Sequence, residues 1–207
     1  MDVPARPLRA DAARNRTRVL DAARTAFAEV GLDVGVEEIA RRAGVGKGTL
    51  YRRFPTKEAL VRAIFDDILD EIEQLSAEVA THEQAGDAFA RFLKTAARMQ
   101  ASNQGFYDVV AQRLGAAALT DEQRARFLDA IARPLARAQD AKAVRPDLVP
   151  EDVQIMLRML GATTRAAPDG SAMDEHWPRY LALLLDAVRP DAATPLAADP
   201  WRLTARA

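Results

Sequence analysis

The chain has 207 residues, of which 49% are hydrophobic and none is cysteine, and its formal net charge is −1. This composition is too apolar for a disordered protein, and the lack of cysteine excludes a disulfide scaffold and a thiolate metal site. Because the first residues lack the apolar run of a signal peptide and no stretch is apolar over the length of a bilayer, we expect a soluble, cytoplasmic protein without membrane contact.

The sequence predicts an all-α protein, because Ala, Leu, Arg and Glu recur throughout and the Val, Ile and Thr alternation typical of strands is absent. Helical spacing predicts about nine helices, with approximate bounds 12–30, 36–42, 47–54, 57–79, 85–101, 104–115, 121–142, 150–166 and 174–188. Thr120, with Gln123 three residues later, predicts a capping box. We expect residues 1–10 to form a disordered basic arm and residues 190–207 a flexible tail.

Residues 36–57 contain two short predicted helices joined by a tight turn. Ala40 is small enough for the two helices to cross closely, and Gly44 accommodates the positive φ that the turn requires. The residues predicted to pack this unit together are Phe27, Val30, Val45, Leu50 and Phe54. The pattern indicates a helix-turn-helix.

The second short helix is predicted to carry a polar outward face, formed by Lys47, Thr49, Tyr51, Arg52 and Arg53. These side chains donate hydrogen bonds to phosphates and base edges from a rod that fits the major groove. Lys57 begins the following helix, where its charge and the free backbone N–H groups can both face a phosphate. Residues 1–60 carry 12 Lys and Arg against 8 Asp and Glu, whereas the other 147 residues carry 17 against 22. Together these features predict a unit that binds double-stranded DNA.

A continuous motif from residue 44 to residue 60 resembles the signature of the TetR (tetracycline-repressor) family: G-V-G-K-G-T-L-Y-R-R-F-P-T-K-E-A-L. The resemblance covers about residues 14–65. It implies a helix-turn-helix DNA-binding domain at 11–56, with its recognition helix at 47–53. It also implies a homodimer and a ligand-binding and dimerisation domain at 57–189.

The same resemblance implies roles for individual residues. Phosphate contacts are expected from Thr49, Tyr51 and Lys57, and base contacts from Lys47, Arg52 and Arg53. The chain departs from the family pattern at the preceding helix, where Thr or Ser is common as a cap. Gly35 offers no side-chain oxygen there, and Glu37 would be repelled by the DNA backbone, so we assign no DNA contact to that helix.

We expect an apolar effector cavity in the second domain, because large flexible side chains are abundant there and Met-rich linings adapt to varied ligands. The residues predicted to line it are Phe65, Leu69, Phe92, Met99, Phe106, Val110, Phe127 and Met156. Pro134 should kink its helix and open space. Polar candidates such as Asn103 are few, which favours a hydrophobic or amphipathic effector over a sugar or a nucleotide.

The last two helices are strongly apolar and late in the chain, so a self-complementary contact between two copies would bury them economically. The residues predicted to lie in this dimer interface are Leu157, Leu160, Leu181 and Leu184.

Two alternatives remain open. One is a constitutive regulator without an effector. The other is a magnesium-dependent helical enzyme using Asp66, Asp67 and Asp70, because their spacing resembles the magnesium site of all-helical prenyl-transferring enzymes and carboxylates at i and i+4 share a helix face. No second acidic cluster of this kind occurs, so a solvated helix face is the favoured interpretation. We predict no enzymatic activity, no cofactor and no metal site.

Overall fold

The computed structural model describes residues 5–81, 84–114, 119–162, 177–192 and 194–196. Over these ranges the chain forms nine α-helices and no strand, which confirms the predicted all-α fold. In chain order the helices are α1 (Ala5–Val30), α2 (Val36–Ala43), α3 (Lys47–Arg53), α4 (Lys57–Ala80), α5 (Ala85–Ser102), α6 (Gln104–Arg113), α7 (Asp121–Asp140), α8 (Pro150–Ala162) and α9 (Trp177–Ala187).

Helix α1 begins at Ala5 and therefore includes most of the segment predicted to be a disordered arm. Pro7 lies in its first turn, where a missing N–H breaks no hydrogen bond within the helix, and the neighbouring Ala, Arg and Leu residues favour helix. At the other end of the chain, the predicted bounds 166 and 174 and most of the predicted tail lie outside the described residues.

The chain divides into two compact units. The first comprises residues 1–67 and 105–118, and the second comprises residues 68–104 and 119–207. The predicted domain boundary at residue 56 differs from this division, since the first turns of α4 and nearly all of α6 belong to the N-terminal unit. Periodicity along the chain identifies a helix but does not show which neighbour it packs against.

The first unit has an apolar core to which α1, α2, α3 and the start of α4 each contribute buried side chains. Phe27, Ile39, Leu50 and Leu60 are each at most 1% exposed. The ring of Phe106, from α6, adds to this core and lies 6.4 Å from that of Phe27 between centroids. The prediction that Val30 also packs here is wrong: it is the last residue of α1 and is 56% exposed, because the chain turns away at Gly31.

The second unit has its own apolar core, built from α5, α7 and α8 with the later residues of α4 and part of α9. Phe89, Phe92, Leu93 and Ile131 are almost completely buried in it. The capping box that opens α7 is confirmed. The Thr120 hydroxyl accepts from the Gln123 backbone N–H, and the Gln123 side chain accepts from the Thr120 N–H, both at 3.1 Å.

Candidate DNA-binding surface

The turn between α2 and α3 is set by Gly44, whose φ of 65° and ψ of 35° are left-handed. The Gly44 N–H donates to the Arg41 carbonyl at 3.2 Å, and the Val45 N–H donates to the Ala40 carbonyl at 3.0 Å. These bonds satisfy carbonyls that the end of α2 leaves free. The predicted positive φ at Gly44 is confirmed, and this turn directs the chain into α3.

Helix α3 is anchored by one apolar side chain. Leu50 is 1% exposed, and Phe54, the next residue after the helix, is 7% exposed. The predicted DNA-contact residues of α3 are all exposed: Lys47, Thr49, Tyr51, Arg52 and Arg53. Because one helix holds them around a single buried anchor, the structure brings these five side chains together on one short, solvent-facing element.

Arg52 and Arg53 of α3 differ from the neighbouring arginines in their ion pairs. Within the described part of the chain, Arg52 and Arg53 form no ion pair with a carboxylate. The arginines of α2 differ, because Arg41 and Arg42 donate to Glu38 at 2.7 and 2.8 Å, and Arg42 also donates to Glu29 at 2.6 Å. The positive charge of α2 is therefore balanced by carboxylates of the chain itself, whereas no described carboxylate balances that of Arg52 and Arg53, which suits contact with a polyanion.

Lys47 is the exception on α3, because its ammonium forms an ion pair with the Glu37 carboxylate of α2. The same ammonium nitrogen lies 5.7 Å from the centroid of the Tyr51 ring. The hydrogen bond from Lys47 lowers the pKa of Glu37 below its ordinary value and raises the pKa of Lys47. The sequence alone predicts only that the DNA backbone would repel Glu37. No periodic signal marks the pair, because the two residues meet across the turn.

Lys57 lies at the start of α4 and donates from Nζ to the Leu32 carbonyl at 2.9 Å, so it ties α4 to the connection between α1 and α2. The cap of the helix is Thr56, whose hydroxyl accepts from the Ala59 N–H at 3.1 Å. An ammonium has three donors, so the bond to Leu32 leaves Lys57 the capacity to donate to a phosphate as well.

The eight residues predicted to line an effector cavity are divided between the two units. Those in the first unit are Phe65, Phe106 and Val110, and those in the second are Leu69, Phe92, Met99, Phe127 and Met156. The rings of Phe65 and Phe106 lie 5.3 Å apart between centroids. In the second unit Phe92 is fully buried, whereas Met99, Phe127 and Met156 are partly buried against the apolar core. Their contact with a ligand stays a prediction.

Two buried side-chain oxygen atoms in the second unit have no hydrogen-bond partner among the described residues. One is Oδ1 of Asn103, whose Nδ2 donates to the Met99 carbonyl at 2.7 Å. The other is Oγ of Ser76 on α4, a residue that no sequence pattern marks as a ligand contact. Both residues are less than 5% exposed, and a buried polar atom left without a partner costs about 1–3 kcal/mol.

Three of the four residues predicted for a dimer interface lie in the core of their own chain. Leu157, Leu160 and Leu181 are 3, 2 and 5% exposed, and Leu184 is partly buried against the same core. The outward faces of α8 and α9 instead carry Met159 (56% exposed), Tyr180 (39%) and Leu183 (57%). An apolar pattern marks two helices as amphipathic but does not show which face a second chain could meet.

Asp67 and Asp70 of α4 form ion pairs with arginines. Asp67 accepts from Arg16 at 2.8 Å and lies 3.5 Å from Arg24. Asp70 pairs at 2.8 Å with Arg126, which also pairs with Glu73. Among the described residues, no group of three or more His, Asp or Glu side chains is placed to hold a metal ion. These contacts give no support to the magnesium-dependent alternative.

Two family models match the chain, one over each half. Residues 19–64 match the bacterial regulatory proteins of the tetR family, and residues 84–190, about half of the chain, match the C-terminal domain of SbtR-like transcriptional regulators. The solved TetR transcription regulatory protein from Mycobacterium vanbaalenii is 36% identical, with a TM-score of 0.64. The match covers 88% of this chain and 99% of that protein.

Curated relatives match the N-terminal region. The A-factor receptor protein of Streptomyces griseus is 37% identical over 79 residues, and the HTH-type transcriptional repressor KstR2 of Rhodococcus jostii is 45% identical over 58 residues. These matches cover 37% and 28% of this chain, but only 29% and 28% of the respective relative.

No helix in the described ranges is both long and apolar enough to cross a membrane.

Proposed function

Because the chain belongs to the TetR family of bacterial regulatory proteins, and is therefore a DNA-binding transcriptional regulator, we propose that it is a repressor that a small apolar effector releases from a palindromic operator. One observation carries the DNA-binding part of this proposal. Helix α3 combines one buried anchor, Leu50, with exposed Arg52 and Arg53 that no carboxylate in the described part of the chain neutralises. Arginine on an exposed helix is suited to guanine edges and phosphates in the major groove.

We propose that the repressor acts as a homodimer through the outward faces of α8 and α9. Met159, Tyr180 and Leu183 are large apolar or aromatic residues exposed on these helices, and exposed apolar surface of this kind commonly marks a protein interface. A dimer would place two α3 helices at half-sites about 34–36 Å apart, and its two-fold symmetry would require a palindromic operator.

The effector part of the proposal is supported by the unpaired buried atoms and by a relative. Oδ1 of Asn103 and Oγ of Ser76 would gain partners from a mostly apolar molecule that carries one or two hydrogen-bond donors. The A-factor receptor protein is, by its name, a receptor for A-factor. Effector and operator would then oppose each other by linkage, since each favours a different state of the protein.

Selection from a random duplex library with the full-length protein tests the DNA-binding part. We expect enrichment of a two-fold symmetric site whose binding weakens steeply with salt. Recovery of no preferred sequence would contradict the proposal. Once a site is known, small apolar molecules can be screened for release of the labelled duplex. Phe92→Trp or Met156→Trp should abolish that response while DNA affinity stays near wild type; release by no compound would favour a constitutive regulator.

A further inference from the structure

The α2–α3 pair of Glu37 and Lys47 is an unusual feature for a surface that is to meet DNA. Both side chains are more than half exposed, at 57% and 56%, so the pair lies in solvent and is not a buried structural bridge. Lys47 is the first residue of α3, and in helix-turn-helix proteins the N-terminal residues of the recognition helix reach the base edges. The structure therefore pairs a carboxylate with a cation at the N-terminal end of α3, where base contacts are expected.

A carboxylate at this position opposes contact with phosphate. Exposed ion pairs contribute little to stability, so stabilising the fold is a weak reason for the pair. A phosphate would have to separate Lys47 from Glu37 or approach the carboxylate closely, and either is unfavourable. Contact with a base edge is less unfavourable. An ammonium has three donors, so one can remain hydrogen-bonded to Glu37 while another donates to a guanine acceptor.

We infer that Glu37 is a specificity-determining residue, which holds Lys47 for base edges and keeps its charge from neutralising phosphates at non-specific DNA. The inference rests on the proposed DNA-binding function. It adds a residue from α2, a helix for which the sequence predicts no DNA contact. Its chemical basis is counterion release. A lysine whose charge is already balanced displaces no cation from the DNA backbone, so the pair adds nothing to the salt dependence of non-specific binding.

Glu37→Gln tests this role because it removes the carboxylate charge at similar volume. The affinity of the full-length protein is measured for a scrambled duplex and for the selected operator, at salt concentrations from about 50 to about 300 mM. For scrambled DNA, we expect the slope of log affinity against log salt concentration to steepen by about 0.9 for each DNA-binding unit that contacts the duplex. This change corresponds to about fivefold tighter binding per unit near ~0.15 M salt. Operator affinity should rise less, so the ratio of specific to non-specific affinity falls.

A double-mutant cycle with Lys47→Met separates release of Lys47 from general repulsion. With Met at position 47, Glu37→Gln should leave the slope for scrambled DNA unchanged. Asp21→Asn is the matched control: it removes one exposed negative charge from the same unit, but among the described residues Asp21 pairs with no cation, so the change releases none and should not alter the slope.

Three results would overturn the inference. These are an unchanged slope in Glu37→Gln, an equal change when Met replaces Lys47, and a loss of preference at one operator position caused by Glu37→Gln but not by Lys47→Met. The last result would show that Glu37 contacts a base edge directly. Because wild-type binding to the operator is measured in the same series, failure of the DNA-binding proposal itself would be seen separately, as absence of any preferred site.

Discussion

Gly44 shows how one backbone angle determines the geometry of the DNA-binding unit. Its φ of 65° is in a region that costs an ordinary L-residue about 1–2 kcal/mol. We expect Gly44→Ala to lower the free energy of unfolding by about this amount, as measured by urea denaturation. Gly48→Ala is the control, because Gly48 is helical and a Cβ there would meet nothing within 4 Å. That change should leave stability equal or up to about 1 kcal/mol higher.

Two cations of the same surface should differ in what they recognise. Arg52→Ala should weaken operator binding by about 1–3 kcal/mol and relax the preference at one position, because a base-edge contact carries sequence information. Lys57→Ala should weaken binding equally for all sequences and reduce the salt slope by about one. Binding curves for the operator and for single-position variants distinguish these outcomes, and an unchanged preference in Arg52→Ala would exclude base reading by Arg52.

The structure adds a second consequence for Lys57. Because Nζ donates to the Leu32 carbonyl, Lys57→Ala should also lower the free energy of unfolding by about 0.5–1.5 kcal/mol. The salt slope and the urea transition therefore report separate roles of the same side chain.

At the scale of the elements, α1 and α2 are joined by a cluster of charges around Glu38. Hydrogen bonds from Arg41 and then Arg42 lower the pKa of Glu38 from 4.5 to about 2. Since the folded pKa lies below the ordinary one, the folded state favours the ionised carboxylate. The resulting stabilisation is complete above pH 4.5 and is lost as pH falls from 4.5 toward 2.

Thermal unfolding between pH 7 and pH 3 tests this linkage. We expect Glu38→Gln to be less stable than wild type at pH 7, with a difference that narrows as the pH falls below about 4.5. Glu122→Gln, on α7 in the second unit, is the control for loss of one surface charge. A difference between wild type and Glu38→Gln that is constant with pH would show that the ion pairs do not contribute through ionisation.

At the scale of the whole molecule, the proposed dimer depends on which face of α9 meets a second chain. Leu183 is 57% exposed and Leu181 is 5% exposed, although they are only two residues apart. We expect Leu183→Arg to yield a folded monomer by light scattering, with weakened binding to a palindromic site. Leu181→Ala should instead lower the free energy of unfolding by about 2–5 kcal/mol, because it leaves a cavity in the core.

The contrast between these two leucines makes the test decisive. A wild-type monomer at micromolar concentration, or a Leu183→Arg protein that remains a dimer, would contradict the proposed interface. Leu181→Arg, which the sequence pattern alone would suggest as a dimer-breaking change, should unfold the second unit, because it forces a charge into the core.

Local chemistry in the sequence determined the elements of this protein. The glycine needed at the turn, the cap formed by Thr120 and Gln123, the helical periodicity and the continuous motif from residue 44 each depend on neighbouring residues, so they could be read without coordinates. The same local order predicted that Lys47, Thr49, Tyr51, Arg52 and Arg53 would share one exposed helix, and the structure has all five exposed.

Only the tertiary structure decided the features that depend on distant partners. Glu37 meets Lys47 across a turn, α6 belongs to the N-terminal unit, and Leu181 faces its own core while Leu183 faces solvent. Periodicity gives the apolar face of a helix but not the element that covers it, and charge along the chain does not show which cation meets which carboxylate. Both depend on how the helices pack in three dimensions, and the residues of a single helix do not specify that packing.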